Sequence, residues 1–86
     1  MQIIFHKNFV KKLSKLPLKA QNAFYKKLEV FYSDKFNVLL NNHPLSGEYD
    51  DKRSINITGD YRAIFEEREN GDVIFILIGT HSELYK

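Results

Sequence analysis

"RSINITGDYRAIFEERENGDVIFILI", residues 53–78, decides the fold. Three runs rich in β-branched and aromatic residues, "RSINIT", "YRAIFEER" and "DVIFILI", are parted by "TGD" and "ENGD". Asn70-Gly71 is a strong hairpin signal, because both central positions of a type I′ turn take φ > 0. Strands joined by turns this short pair antiparallel. The stretch therefore predicts a meander over residues 53–57, 61–67 and 73–78. The unbroken run "VIFILI" suits a strand covered on part of both faces.

Upstream, "NNHPLSGEYDD" (41–51) has loop chemistry. Before it the apolar spacing turns helical: Phe9, Val10, Leu13 and Leu16, then Ala20, Ala23, Phe24, Leu28 and Phe31. Pro17 divides the two helices, since the residue before a proline is pushed out of the α region. "QIIF" at residues 2–5 is a short strand. The order β-α-α-β-β-β predicts an α+β fold, a helix hairpin packed on one face of an antiparallel sheet that the first strand joins. The other face is expected to be open and concave.

Eighty-six residues, 43% of them hydrophobic, predict one domain over 1–86 with a modest core. With no cysteine there is neither a disulfide nor a thiolate metal site. "MQIIF" gives way at once to "HKNFVKK", too short a run for a signal-peptide core or a membrane span, so a cytoplasmic protein is expected. The net charge of +2 divides unevenly. Residues 1–35 carry eight lysines against Glu29 and Asp34, or +6, and the remainder carries −4. Such a basic half suits an anionic polymer, with Lys11, Lys12, Lys15 and Lys19 as contacts. The same lysines also keep a helix face solvated.

His6 starts a helix and reads as a surface or capping residue, whereas His43 beside Pro44 and His81 after the last strand are free for chemistry. They lack the ligand spacing of a metal centre, and no cofactor is implied. What remains resembles the kit of a metal-free ribonuclease. Cleavage by the RNA's own 2′-hydroxyl needs a base, an acid for the 5′ leaving oxygen, and positive charge for the phosphate. Imidazoles serve the first two near neutral pH, and Arg62 serves the third. Asp60 could orient a histidine or act as base, while Tyr61 and Tyr85 could stack on bases or donate a hydrogen bond. Plainer uses exist for each. His43 could fix a turn, Asp60 is a normal turn residue, Arg62 could pair with Glu66 or Glu83, and Tyr85 could pin the C-terminus.

Together, "FHKNFVKKLSKLP", "HPLSG", "RSINITGDYRAIF" and the closing "GTHSELY" resemble the RelE/ParE superfamily of toxin–antitoxin systems, most closely its YafQ-like branch. The resemblance spans nearly the whole chain and implies a RelE-like fold. It also implies metal-free cleavage of messenger RNA in the ribosomal A site. By position it assigns catalytic roles to His43, Asp60, Arg62, His81 and Tyr85. The implied partners are the ribosome with its message and an acidic, partly disordered antitoxin, through which alone operator DNA is reached. YafQ-type proteins carry an arginine where this chain has Leu77 and a histidine where it has Asn56; Arg62 or Arg53 could replace the missing cation. Two other outcomes of the same resemblance are a ParE-like inhibitor of DNA gyrase and a degenerate subunit that only binds antitoxin or assists repression.

Overall fold

The computed structural model describes residues 1–85. The described chain runs β1 (Ile3–Phe5), α1 (Lys7–Lys15), α2 (Leu18–Ser33), β2 (His43–Pro44), β3 (Arg53–Asn56), β4 (Tyr61–Glu67), β5 (Val73–Thr80) and α3 (His81–Leu84). Single 3₁₀ turns lie at Val38–Leu40 and Gly47–Tyr49. The sheet has five strands in the order β1-β5-β4-β3-β2, and both long helices pack on one face.

The meander forms as the turns foretell, and β2 to β5 pair antiparallel. β1 instead pairs parallel with β5, Ile3 opposite Val73 and Phe5 opposite Phe75, so the sheet is mixed. The reason is the connection. After Phe5 the chain turns directly into α1, whose cap is His6: its Nδ1 accepts from the Asn8 amide at 3.1 Å. The turn between β4 and β5 also departs from the expected type I′. Only Gly71 has positive φ, at 90°. A three-residue loop, Glu69 to Gly71, is closed by Arg68 N–H to Asp72 O at 2.8 Å, and Asn70 Oδ1 accepts from the Asp72 amide. This is the pattern of a turn followed by a left-handed glycine.

"VIFILI" solves a parity problem with a bulge. Ile64 faces Leu77 and Phe65 faces Phe75, so Ile76 has no opposite number on β4. The extra residue lets Val73, Phe75 and Ile78 all enter the core, although strict alternation would put Phe75 and Ile78 on opposite faces. Phe75 is the hub of that core. Its ring centroid lies 5.4–5.8 Å from those of Phe5, Phe9, Phe24, Phe31 and Phe65. Offset and edge-on packing at these separations adds to the gain from burial itself.

The face away from the helices is less open than its strands suggest. α3 folds back over it, above Gly79, where a Cβ would lie 3.3 Å from Glu83 Oε1 and 3.5 Å from Leu84 Cδ2. Tyr49 meets Tyr85 edge-on at 6.3 Å. No helix among the described residues is long and apolar enough to cross a membrane.

Candidate active site

A cleft of about 360 Å³ remains beside α3, lined by Asn41, His43, Leu45, Asn56, Arg62, His81 and Tyr85. The topology brings these together from distant positions. β2 lies against β3, with His43 opposite Ser54. Asn56 faces Arg62 across β3 and β4, and Arg62 in turn faces Gly79 on β5. β5 then hands over to α3, which carries His81 and leads to Tyr85.

His43 is held by its own loop. Asn41 takes the left-handed conformation, φ 47°, which asparagine tolerates, and its carbonyl lies 2.7 Å from His43 Nδ1. A hydrogen bond to a carbonyl oxygen requires the proton on Nδ1. The neutral ring therefore keeps its lone pair on Nε2, the nitrogen a base needs. His81 stacks at a tilt on Tyr85, centroids 4.8 Å apart, and its amide donates to Asp60 O at 3.0 Å.

Arg62 pairs with neither Glu66 nor Glu83. Its Nη1 donates to the carbonyls of Thr58, Gly59 and Tyr61 at 2.9–3.2 Å, which holds the guanidinium at the rim of the cleft. Among the described residues that line the cleft it is the one cation. Two of the lining residues carry a buried polar atom, Asn56 Oδ1 and Tyr85 Oη, that has no hydrogen-bond partner among the described residues. Buried polar groups are normally paired, so both are set to meet a ligand or water.

α3 is fixed by a capping box. Glu83 N–H donates to Thr80 Oγ1 at 3.2 Å, and Thr80 N–H donates to Glu83 Oε1 at 2.9 Å. Lys12 Nζ reaches Glu83 Oε2 at 2.9 Å. The Thr80 amide first, then Lys12, pull the Glu83 carboxyl from its ordinary 4.5 to about 2. A lowered folded-state pKa stabilises above the unfolded value and ceases to as pH falls through the folded one. The anchor is therefore expected to hold at neutral pH and loosen from about 4.5 towards about 2. Side-chain NMR shifts of His81 and Tyr85 would report this, and shifts unchanged at pH 2 would disprove it.

Other sequence candidates lie elsewhere. Tyr61 sits on the helix side, lining a hollow with Pro17, Lys19, Ala20 and Ala23. Neighbours on a strand face opposite ways, so Tyr61 and Arg62 cannot share the cleft. Arg53 shares the core-side parity of Ile55; its guanidinium covers Phe36 at 5.4 Å and donates to Asn42 Oδ1 at 2.8 Å. The Asp60 side chain is not part of the cleft wall, and the main chain of Asp60 instead anchors His81. Lys11, Lys15 and Lys19 are exposed on the helices, while Lys12 is engaged by Glu83. Among the described residues no three His, Cys, Asp or Glu side chains converge as metal ligands.

The sequence marks Asn56 only as a departure from the YafQ pattern, not as a cleft residue, and leaves one feature of the tail unread. Asn56 follows from counting back through the "TGD" turn, which sets it opposite Arg62. "THSE" at 80–83 spells the capping box, a Thr with a Glu three residues on.

A family model described as the bacterial toxin of the type II toxin–antitoxin system, YafQ, matches residues 1–86. The chain belongs to the YafQ family. Among solved structures it resembles YafQ from E. coli strain BL21(DE3), at 19% identity over 99% of this chain and 98% of that one, with a TM-score of 0.79. The E. coli DinJ–YafQ toxin–antitoxin complex matches at 20% identity, 99% and 97% coverage and a TM-score of 0.75. The archaeal RelE–RelB complex from Pyrococcus horikoshii OT3 matches at 21%, with 92% of each chain covered and a TM-score of 0.74. At these identities the likeness shows a shared fold. None of the curated proteins matches the chain.

Against the YafQ pattern, the two departures fall in different places. Asn56 is in the cleft, whereas Leu77 lines a neighbouring hollow with Asn8, Lys12, Ile76 and Leu84.

Proposed function

We propose that this YafQ-family toxin is a ribosome-dependent endoribonuclease that cuts messenger RNA in the A site without a metal, and that a small cognate antitoxin restrains it. The observation that carries the reading is the cleft itself. A histidine with its Nδ1 proton already committed stands with a second histidine, an arginine and an unpartnered tyrosine hydroxyl. In the proposed reaction His43 Nε2 takes the proton of the 2′-hydroxyl, whose oxygen attacks phosphorus. A 2′,3′-cyclic phosphate forms as the bond from phosphorus to O5′ breaks, and His81 gives a proton to O5′. Arg62 meets the charge that builds on the phosphate oxygens, and Tyr85 donates to them. Asp60 contributes by holding the His81 backbone, and the exposed helix lysines face the ribosome's phosphates. The antitoxin is supported by the fold's occurrence in the DinJ–YafQ and RelE–RelB complexes.

Toeprinting of a translated message with and without the protein tests the class. Cuts confined to A-site codons are expected. An intact message would leave the two non-nuclease readings, gyrase inhibition or a subunit that only binds antitoxin.

Arg62→Ala should lower the single-turnover rate by about 10²–10³-fold, the usual loss when one preorganised donor to a developing oxyanion is removed. Arg62→Lys should restore only part of it, because an ammonium lacks the planar fork. Both variants need a thermal melt beside the rate, since Arg62 also clamps the β3–β4 turn. A folded Arg62→Ala protein with the parent rate would remove Arg62 from the mechanism.

A further inference from the structure

Little backbone pairing holds His43. Its strand is two residues long, and the second of them, Pro44, has no N–H to give the ladder with β3. Just before it, Asn41 turns through φ 47° and its carbonyl meets His43 Nδ1 at 2.7 Å. Asparagine tolerates that conformation but does not impose it, so the neighbouring structure must hold it. Asn42, between the two, makes the hold. Its Oδ1 accepts from Arg53 Nε at 2.8 Å, and its Nδ2 donates to Lys35 O at 2.9 Å, both bonds partly buried. One amide thus ties the loop to β3 and to the chain leaving α2. Arg53 is fixed in turn. Its guanidinium lies over the Phe36 ring at 5.4 Å and within 3.8 Å of Glu67, which also pairs with Lys35 at 2.8 Å. Being charged, it makes a stronger bond to Asn42 than a neutral donor would.

We propose that Arg53 is a positioning residue: through Asn42 it holds the Asn41 carbonyl against His43 Nδ1, and so keeps the ring presented to the cleft as a base. The proposal rests on the nuclease reading above and adds to it a residue that touches no part of the message. Arg53 is not among the residues lining the cleft, and its parity with Ile55 puts it on the helix side of the sheet. A cation suited to RNA by charge thus serves the site from behind, through one side-chain amide.

Arg53→Ala and Asn42→Ala should each slow single-turnover cleavage on programmed ribosomes by about 10–10²-fold, the loss expected when a reacting group is misplaced by about 1 Å. The double variant should lose little more than either single one, since both remove the same link. In a His43→Ala background neither should slow the residual rate further. Ribosome affinity and its salt dependence should stay those of the parent. Nitrogen chemical shifts of His43 in the free protein give a second readout, with Nδ1 protonated in the parent and both tautomers populated in either variant. Asn42 lies outside the hydrophobic core, so Asn42→Ala still reports if Arg53→Ala melts early. A parent rate, or parent-like His43 shifts, in a folded Asn42→Ala protein overturns the proposal. So does a slowing that persists in full in the His43→Ala background. A shallower salt dependence of binding in Arg53→Ala also overturns it, by making the guanidinium a direct phosphate contact. If the parent cuts no message, the nuclease reading fails instead, and the His43 shifts alone decide whether Arg53 holds the ring.

Discussion

His81→Gln is expected to slow cleavage on programmed ribosomes by roughly 10²–10⁴-fold in a single turnover, the usual yield of general acid–base catalysis. The substitution keeps a hydrogen-bonding side chain of similar length but one that cannot hand over a proton as an imidazole can. The anchors around it do not depend on the imidazole. The His81 amide still meets Asp60 O, and the Thr80–Glu83 box still holds α3. Ribosome affinity should hardly change, because the contacts proposed for it are lysine to phosphate. A His81→Gln protein that cleaves at the parent rate would reduce the tail to a structural closure. If affinity fell as much as rate, His81 would be a binding residue.

Phe75→Ala should have the largest effect on stability, about 3–5 kcal/mol. Five phenylalanine rings surround this side chain, drawn from β1, α1, α2 and β4. No single element can move in to fill the space without leaving the others. Domains of this size are stable by about 4–13 kcal/mol, so the variant would lose much of its margin. Urea titration should show a lower midpoint at unchanged slope. Ile76→Ala is the control, since Ile76 is the unpaired bulge residue and half-buried. A loss below about 1 kcal/mol for Phe75→Ala would mean that the core repacks freely, contrary to its close packing.

The sequence carried the meander because Gly and Asn in its turns admit few chain paths, and it carried the helix break because Pro17 has no N–H to give. The direction of β1 was illegible: three apolar residues, "IIF", pair equally well either way, and only the turn into α1 decides. The bulge was hidden for a related reason. Every position in "VIFILI" is apolar, so no parity pattern marks where alternation resets. At the site, His43, Arg62, His81 and Tyr85 line one cleft. Tyr61 and Arg53 do not join them, because strand parity turns both to the helix side, and chemical suitability says nothing of parity. The buried acceptor of Asn56 needed the register, which comes from counting across a turn.

The pairing of β1 with β5 bears on how the molecule is made. Gln2 bonds Asp72 and Ile3 pairs with Val73, partners 70 positions apart in the first case. Translation adds roughly 5–20 residues each second. The stretch from Ser33 to Val73 thus occupies several seconds, during which Phe9, Phe24 and Phe31 have no β5 on which to settle. The nascent helical hairpin is then a sticky, unfinished object, open to chaperones and proteases. The cleft is later still, since His43 waits for His81 and Tyr85. Under the nuclease reading, the cleft is therefore incomplete until His81 and Tyr85 have followed β5 out of the ribosome, whether or not antitoxin is present.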